Sequence, residues 1–183
     1  MIMKTKTLLL YSICLVSICI GALTANAFTT VAINSEVDAD FGEIDYNSTS
    51  TGNIDMGSNG VISYPAGFAG TGLGVSGQFR IVVSGTNTGA SYTITCSDTG
   101  TQLSDANAHF IGVDADFAIS AASRTNYGSG IDCNNATNGP YSGTPRNVYL
   151  GMRLRINSPL AAPGIYSTTN MGGIPLTIIV VLM

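Results

Sequence analysis

Apolar side chains in this chain recur at every second position far more often than at helical spacing. From 148 to 156, Val148, Leu150, Met152, Leu154 and Ile156 share one face, while Arg153 and Arg155 take the other. A period of two predicts a half-buried strand. Over 78–84, Phe79, Ile81 and Val83 face one way and Arg80 the other. After Gly85-Thr86-Asn87-Thr88-Gly89, Tyr92, Ile94 and Cys96 alternate with Ser91, Thr93 and Thr95. The two runs are predicted to form a hairpin with its register set by that alternation, Cys96 pointing inward. The last stretch, 173–183, is apolar almost throughout and rich in Val and Ile, residues suited to a pleated strand. After Pro175 it is too short to cross roughly 30 Å of hydrocarbon as a helix. It is expected to close an all-β domain, with partners on both edges and the Arg153/Arg155 strand or the first strand beside it.

Weaker alternation fills the rest. Val31 and Ile33 mark 29–34, Phe41 and Ile44 mark 40–46, and Ile54 and Met56 mark 53–56; a further short run covers 61–64. The segment 65–77, with glycine at 67, 70, 72, 74 and 77, predicts a long mobile connection. A phosphate cradle would want a helix and a lysine after it, but a strand follows. Two apolar patches, Phe110-Ile111 and Phe117-Ala118-Ile119, are joined through Asp114 and Asp116. The polar, turn-rich segment 120–146 predicts an exposed loop tied down by Cys133. Helical periodicity is absent from 28–183. About nine or ten short strands predict an antiparallel β-sandwich.

The first residues change the compartment. MIMKTK precedes seventeen uncharged residues over 7–23, and Ala25 and Ala27 follow. This is the pattern of a secretory signal peptide, 1–27, cleaved before Phe28 to leave a single domain, 28–183. An uncleaved anchor is the competing reading; the Ala-x-Ala site and the serines Ser12 and Ser17 favour removal. Both lysines, Lys4 and Lys6, fall in the leader. Five arginines then face eleven acidic residues, so neither nucleic acid nor an anionic membrane is expected as a partner. The protein is expected in the periplasm, at the cell surface or outside the cell.

Cys14 and Cys19 leave with the leader, so Cys96 and Cys133 remain. An even pair in an exported chain predicts a disulfide closing a loop of about 37 residues; two separate buried thiols are the alternative. No metal site and no cofactor is predicted. His109, the only histidine, has no reactive serine or thiol on a defined turn beside it, and reads as structural. The pairs Asp38/Asp40, Glu43/Asp45 and Asp114/Asp116 would each share a strand face. That permits calcium or two-carboxylate chemistry, although none matches a calcium loop and solvated edges account for them as well. Tyr127, Tyr141, Tyr149 and Tyr166 offer a sugar-stacking surface, or ordinary packing.

Three stretches carry a resemblance: DFGEI, GQFRIVVSGTNTGASYTITCS, and VYLGMRLRI followed by APGIYSTTNMGGIPLTIIVVLM. In this order they resemble a bacterial exported family of unknown function whose members look like pilin-type β-sandwiches. Its motifs fall on Asp40-Phe41-Gly42, 79–94, 151–156 and 162–183, nearly the whole of 28–183. The spore-coat-U and chaperone–usher pilin families are similar more loosely; Leu182 stands where usher subunits usually carry tyrosine. The resemblance implies an immunoglobulin-like, pilin-like sandwich, a surface or extracellular role, and no catalytic residues. A non-enzymatic, fimbria-like or surface-coat structural subunit is therefore expected, self-associating or joining other surface subunits by strand exchange. The alternative is an adhesin-like module binding a glycan or host protein through 120–146. A hydrolase comes third.

Overall fold

The computed structural model describes residues 29–46, 49–107, 109–119, 127–142, 146–157, 164–170 and 173–183. The expected signal peptide, 1–27, lies outside the described residues, as do 120–126 of the expected loop and 162–163 of the last resemblance motif. The described chain is all-β. Its strands are β1 (Thr30–Val37), β2 (Ile44–Tyr46), β3 (Gly52–Met56), β4 (Ile62–Ser63), β5 (Phe68–Gly70), β6 (Gln78–Ser84) and β7 (Ser91–Ser97). Then come β8 (Gln102–Ser104), β9 (Phe110–Ile119), β10 (Ile131–Asp132), β11 (Ala136–Ser142), β12 (Arg146–Ile156) and β13 (Thr177–Leu182). These thirteen exceed the expected nine or ten: β5, β8 and β10 are two or three residues long, too short to show a period, and β11 lies in the segment expected to be a loop. Among the described residues no helix is long and apolar enough to cross a membrane.

β12 is the spine of an antiparallel eight-stranded sheet. One of its edges pairs β6 at Arg146–Tyr149 and then β3 at Met152–Ile156; the other pairs β9 along most of its length. β1 flanks β6, β4 flanks β3, and β8 and β10 flank β9. Between the two partners on the first edge, the Leu150 N–H donates to the Gly77 carbonyl at 2.9 Å and the Ser76 hydroxyl to the Leu150 carbonyl at 2.8 Å. A second sheet runs β11-β7-β13, and a small ladder joins β2 to β5.

Alternation dictates the core. The inward positions of β12 (Val148, Leu150, Met152, Leu154, Ile156) meet Tyr92, Ile94 and Cys96 of β7, with Phe79, Ile81 and Val83 of β6 in one cluster. Fully burying such side chains stabilises by about 1.5–3 kcal/mol each, which makes the two-sheet arrangement the favoured one. Phe41, Ile44 and Phe68 extend the cluster beneath the β2–β5 ladder.

Five expectations are corrected. β6 and β7 do not form a hairpin: β6 pairs β1 and β12, whereas β7 pairs β11 and β13. Alternation reveals which face of a strand is buried but not which strand lies beside it, and the chain over 85–90 crosses between sheets. β13 pairs β7 rather than the Arg153/Arg155 strand, because both edges of β12 are taken. The segment 65–77 is pinned rather than mobile: β5 pairs β2, and Val61↔Leu73 and Asp40↔Val75 bridge across it. Finally, the two patches around Asp114 and Asp116 form one ten-residue strand, β9, and within 120–146 the residues Ala136–Ser142 form β11, paired to β7.

Candidate functional site

The disulfide between Cys96 and Cys133 forms, its Cα atoms 4.6 Å apart. Cys96 lies near the inward end of β7, and Cys133 follows β10. The backbone around the bond is cross-stitched. The Cys133 N–H donates to the Ala115 carbonyl at 2.9 Å, the Asp98 N–H to the Cys133 carbonyl at 3.2 Å, and the Ala115 N–H to Asp98 Oδ2 at 2.9 Å. Asn135 Nδ2 reaches Thr99 Oγ1 at 3.2 Å. Two turns that are distant in sequence are thus held side by side.

Between them opens a polar cleft of about 420 Å³, lined by Asp98, Thr99, Gly100, Asp114, Tyr127, Asp132, Asn134 and Arg155. Its floor is the outer face of β9 and β12. There Arg155 approaches Asp114 at 3.3 Å, while Arg153 forks onto Asp55 through bonds of 2.7 and 2.8 Å. The Arg153 guanidinium also lies over the Tyr127 ring, 4.6 Å from its centre, an arrangement that favours a cation on the ring face. Tyr127 is placed by the turn that follows it: Gly128 and Gly130 donate their N–H groups to Asp116 Oδ2 at 3.0 and 2.7 Å. Buried Asp116 needs room that glycine alone leaves. A Cβ on Gly130 would stand 2.6 Å from its Oδ2, and one on Gly151 would collide with its Oδ1.

The cleft is electronegative. Burial pushes the Asp114 carboxyl up; Arg155 opposes this and the Asp98 charge adds to it. Burial, then Asp114, Asp132 and Asp98, hold the Tyr127 phenol strongly in its neutral form. The hydroxyl is therefore a hydrogen-bond donor throughout the physiological range.

A second feature is an open strand edge. Among the described residues β13 has one hydrogen-bonded neighbour, β7. The Met183 N–H donates to the Ser91 carbonyl at 2.9 Å, and antiparallel alternation then turns the backbone groups of Ile178, Val180 and Leu182 toward the open side. On the outer face Ile179 is 43% and Val181 51% exposed. β1 runs near β13 at the seam between sheets without pairing with it. Where partners on both edges were expected, one edge is paired and the other has no strand partner among the described residues.

Other candidates do not converge. His109 Nδ1 lies 2.7 Å from Asp105 Oδ2, a buried carboxylate that also accepts the N–H groups of Asn107 and His109. This dyad orients an imidazole, but no serine or thiol bonds the ring among the described residues. Asp114 and Asp116 share a face yet serve Arg155 and the glycine turn. The Asp40 carboxylate accepts the Gly42 N–H at 2.8 Å, and Glu43 and Asp45 are exposed. Among the described residues no trio of His, Cys, Asp or Glu is placed to hold a metal ion. Of the four tyrosines, Tyr166 is buried and Tyr141 packs on Tyr92 with ring centres 6.0 Å apart, so Tyr127 alone lines the cleft. Sequence reasoning did not single out Asp98, Asp132 and Asn134. The available signal was that polar residues flank both cysteines, so that pairing these brings the flanks together. No protein-family model matches the chain, and no curated protein matches it.

Proposed function

We propose that the protein is an exported, non-enzymatic structural subunit of a fimbria-like or surface-coat assembly, joined through the open edge of β13. The observation that carries this reading is the edge itself: an apolar strand with one hydrogen-bonded side and exposed Ile179 and Val181. Unpaired backbone donors and acceptors on such an edge template the addition of another strand. The donor is β1 of a neighbouring copy. Among the described residues β1 pairs on one side, with β6, and its inward Val31 and Ile33 are only partly buried, so releasing it costs less than releasing a core strand. A disulfide beside the core suits an oxidising compartment, in keeping with a cleaved leader over 1–27. Deleting residues 28–34 from the exported chain tests the donor. Loss of assembly with the sandwich still folded, and recovery on adding a peptide of those residues, supports the reading. Assembly undiminished by the deletion overturns it.

A further inference from the structure

We propose that the cleft beside the Cys96–Cys133 disulfide is a binding site for a neutral saccharide unit. This cleft is separate from the open edge of β13. Asp98 is 8% exposed and lines the cleft; its Oδ2 accepts the Ala115 N–H, while its Oδ1 has no hydrogen-bond donor among the described residues. That oxygen is open to the cleft's solvent rather than sealed in the interior, so the donors of a ligand can reach it. Asp132 spends Oδ1 on the Asn134 N–H at 3.1 Å. The Tyr127 hydroxyl and the Asn134 carboxamide carry no protein hydrogen bond among the described residues. All four groups line one space.

The chemistry of these groups selects the ligand. Carboxylates accept, a phenol held neutral donates, and a carboxamide does both, so the cleft suits a molecule whose own groups both donate and accept at close spacing. Neighbouring hydroxyls on a sugar ring have that property. Three carboxylates, Asp98, Asp114 and Asp132, against the single guanidinium of Arg155 disfavour sialic and uronic acids. The carboxylates do not gather as metal ligands do, and Arg155 sits among them. A volume of about 420 Å³ falls within the ordinary range for small-ligand clefts. The disulfide and the Asp116-held glycine turn fix the walls before binding, which lowers the ordering cost.

Calorimetric titration of the exported chain, residues 28–183, tests this with three probes: neutral hexose and N-acetylhexosamine oligosaccharides, their sialylated or uronic counterparts, and calcium chloride alone. Asn134→Ala and Asp132→Asn are the variants; the second keeps the acceptor for the Asn134 N–H. Retention of the disulfide and of the unfolding midpoint shows that each still folds. The expected result is saturable binding of a neutral oligosaccharide, weakened at least about tenfold by Asp132→Asn, as loss of a charge-assisted hydrogen bond implies, and weakened also by Asn134→Ala. Four results overturn the proposal: no neutral saccharide binding at millimolar concentration, binding unchanged in both variants, binding of anionic glycans alone, or binding of calcium alone.

Discussion

Cys96 and Cys133 sit 4.6 Å apart at Cα, and residues next to each, Asp98 on one side and Asp132 and Asn134 on the other, line the same cleft. The bond spans 37 positions of sequence. On the chain-entropy account, closing such a loop stabilises by roughly 3 to 4 kcal/mol. The paired Cys96→Ala, Cys133→Ala variant is expected to lose that much in urea unfolding. Amide exchange should rise first around Cys133, at its N–H bond to the Ala115 carbonyl and at the Asp98 N–H bond to its carbonyl. A loss below about 1 kcal/mol would show that the β11–β7 ladder does the same tying unaided.

Gly151 of β12 and Gly130 of the turn before β10 both close on Asp116, and this fixes the turn that presents Tyr127. Gly151→Ala drives a methyl into the Asp116 carboxylate. It is expected to cost about 1–3 kcal/mol, as overpacking in a filled interior does, and to free the 127–130 turn. Thermal unfolding and limited proteolysis near 127–130 check both parts. An unchanged midpoint contradicts the arrangement.

Asp105 and Asp114 give the stability opposite responses to pH. At Asp105 burial opposes ionisation, but the bonds from the His109 ring and from the His109 and Asn107 N–H groups prevail, holding the carboxyl below its ordinary 3.8. Its contribution is thus complete above that value and is lost as pH falls through the folded one. At Asp114 burial prevails and raises the carboxyl above 3.8. The cost of charging it is absent below 3.8 and grows as pH rises through the folded value. Asp105→Asn should therefore destabilise at pH 6 and lose its effect toward pH 3, whereas Asp114→Asn should stabilise at pH 7 relative to pH 3. Urea midpoints across that range read both signs.

The fold class was legible because alternation is a local property: Val148 to Ile156 and Tyr92 to Cys96 bury the side chains their spacing predicts. Pairing was not legible. Gln78–Ser84 would satisfy its inward Phe79, Ile81 and Val83 beside β7 or beside β1 and β12, and only the filling of the whole core decides between them. The terminal strand was placed beside β12 for the same reason, although β12 has no edge to spare. The site was half legible. Cys96 and Cys133 pointed to a tie, and of the four tyrosines Tyr127 lines the cleft, but Asp98, Asp132 and Asn134 read as turn residues until the disulfide joined their turns. Asp116 read as half of an acidic pair, although its role is to hold a glycine turn.

Assembly through the open edge of β13 is the central proposal. Sedimentation of residues 28–183 over a wide concentration range tests it, beside Val181→Lys, which sets a charge on the outer face of that strand without entering the core. The wild-type chain should sediment as growing species as concentration rises, and Val181→Lys should stay a folded monomer. A wild-type chain monomeric at every concentration, or a lysine variant that assembles equally well, would contradict it.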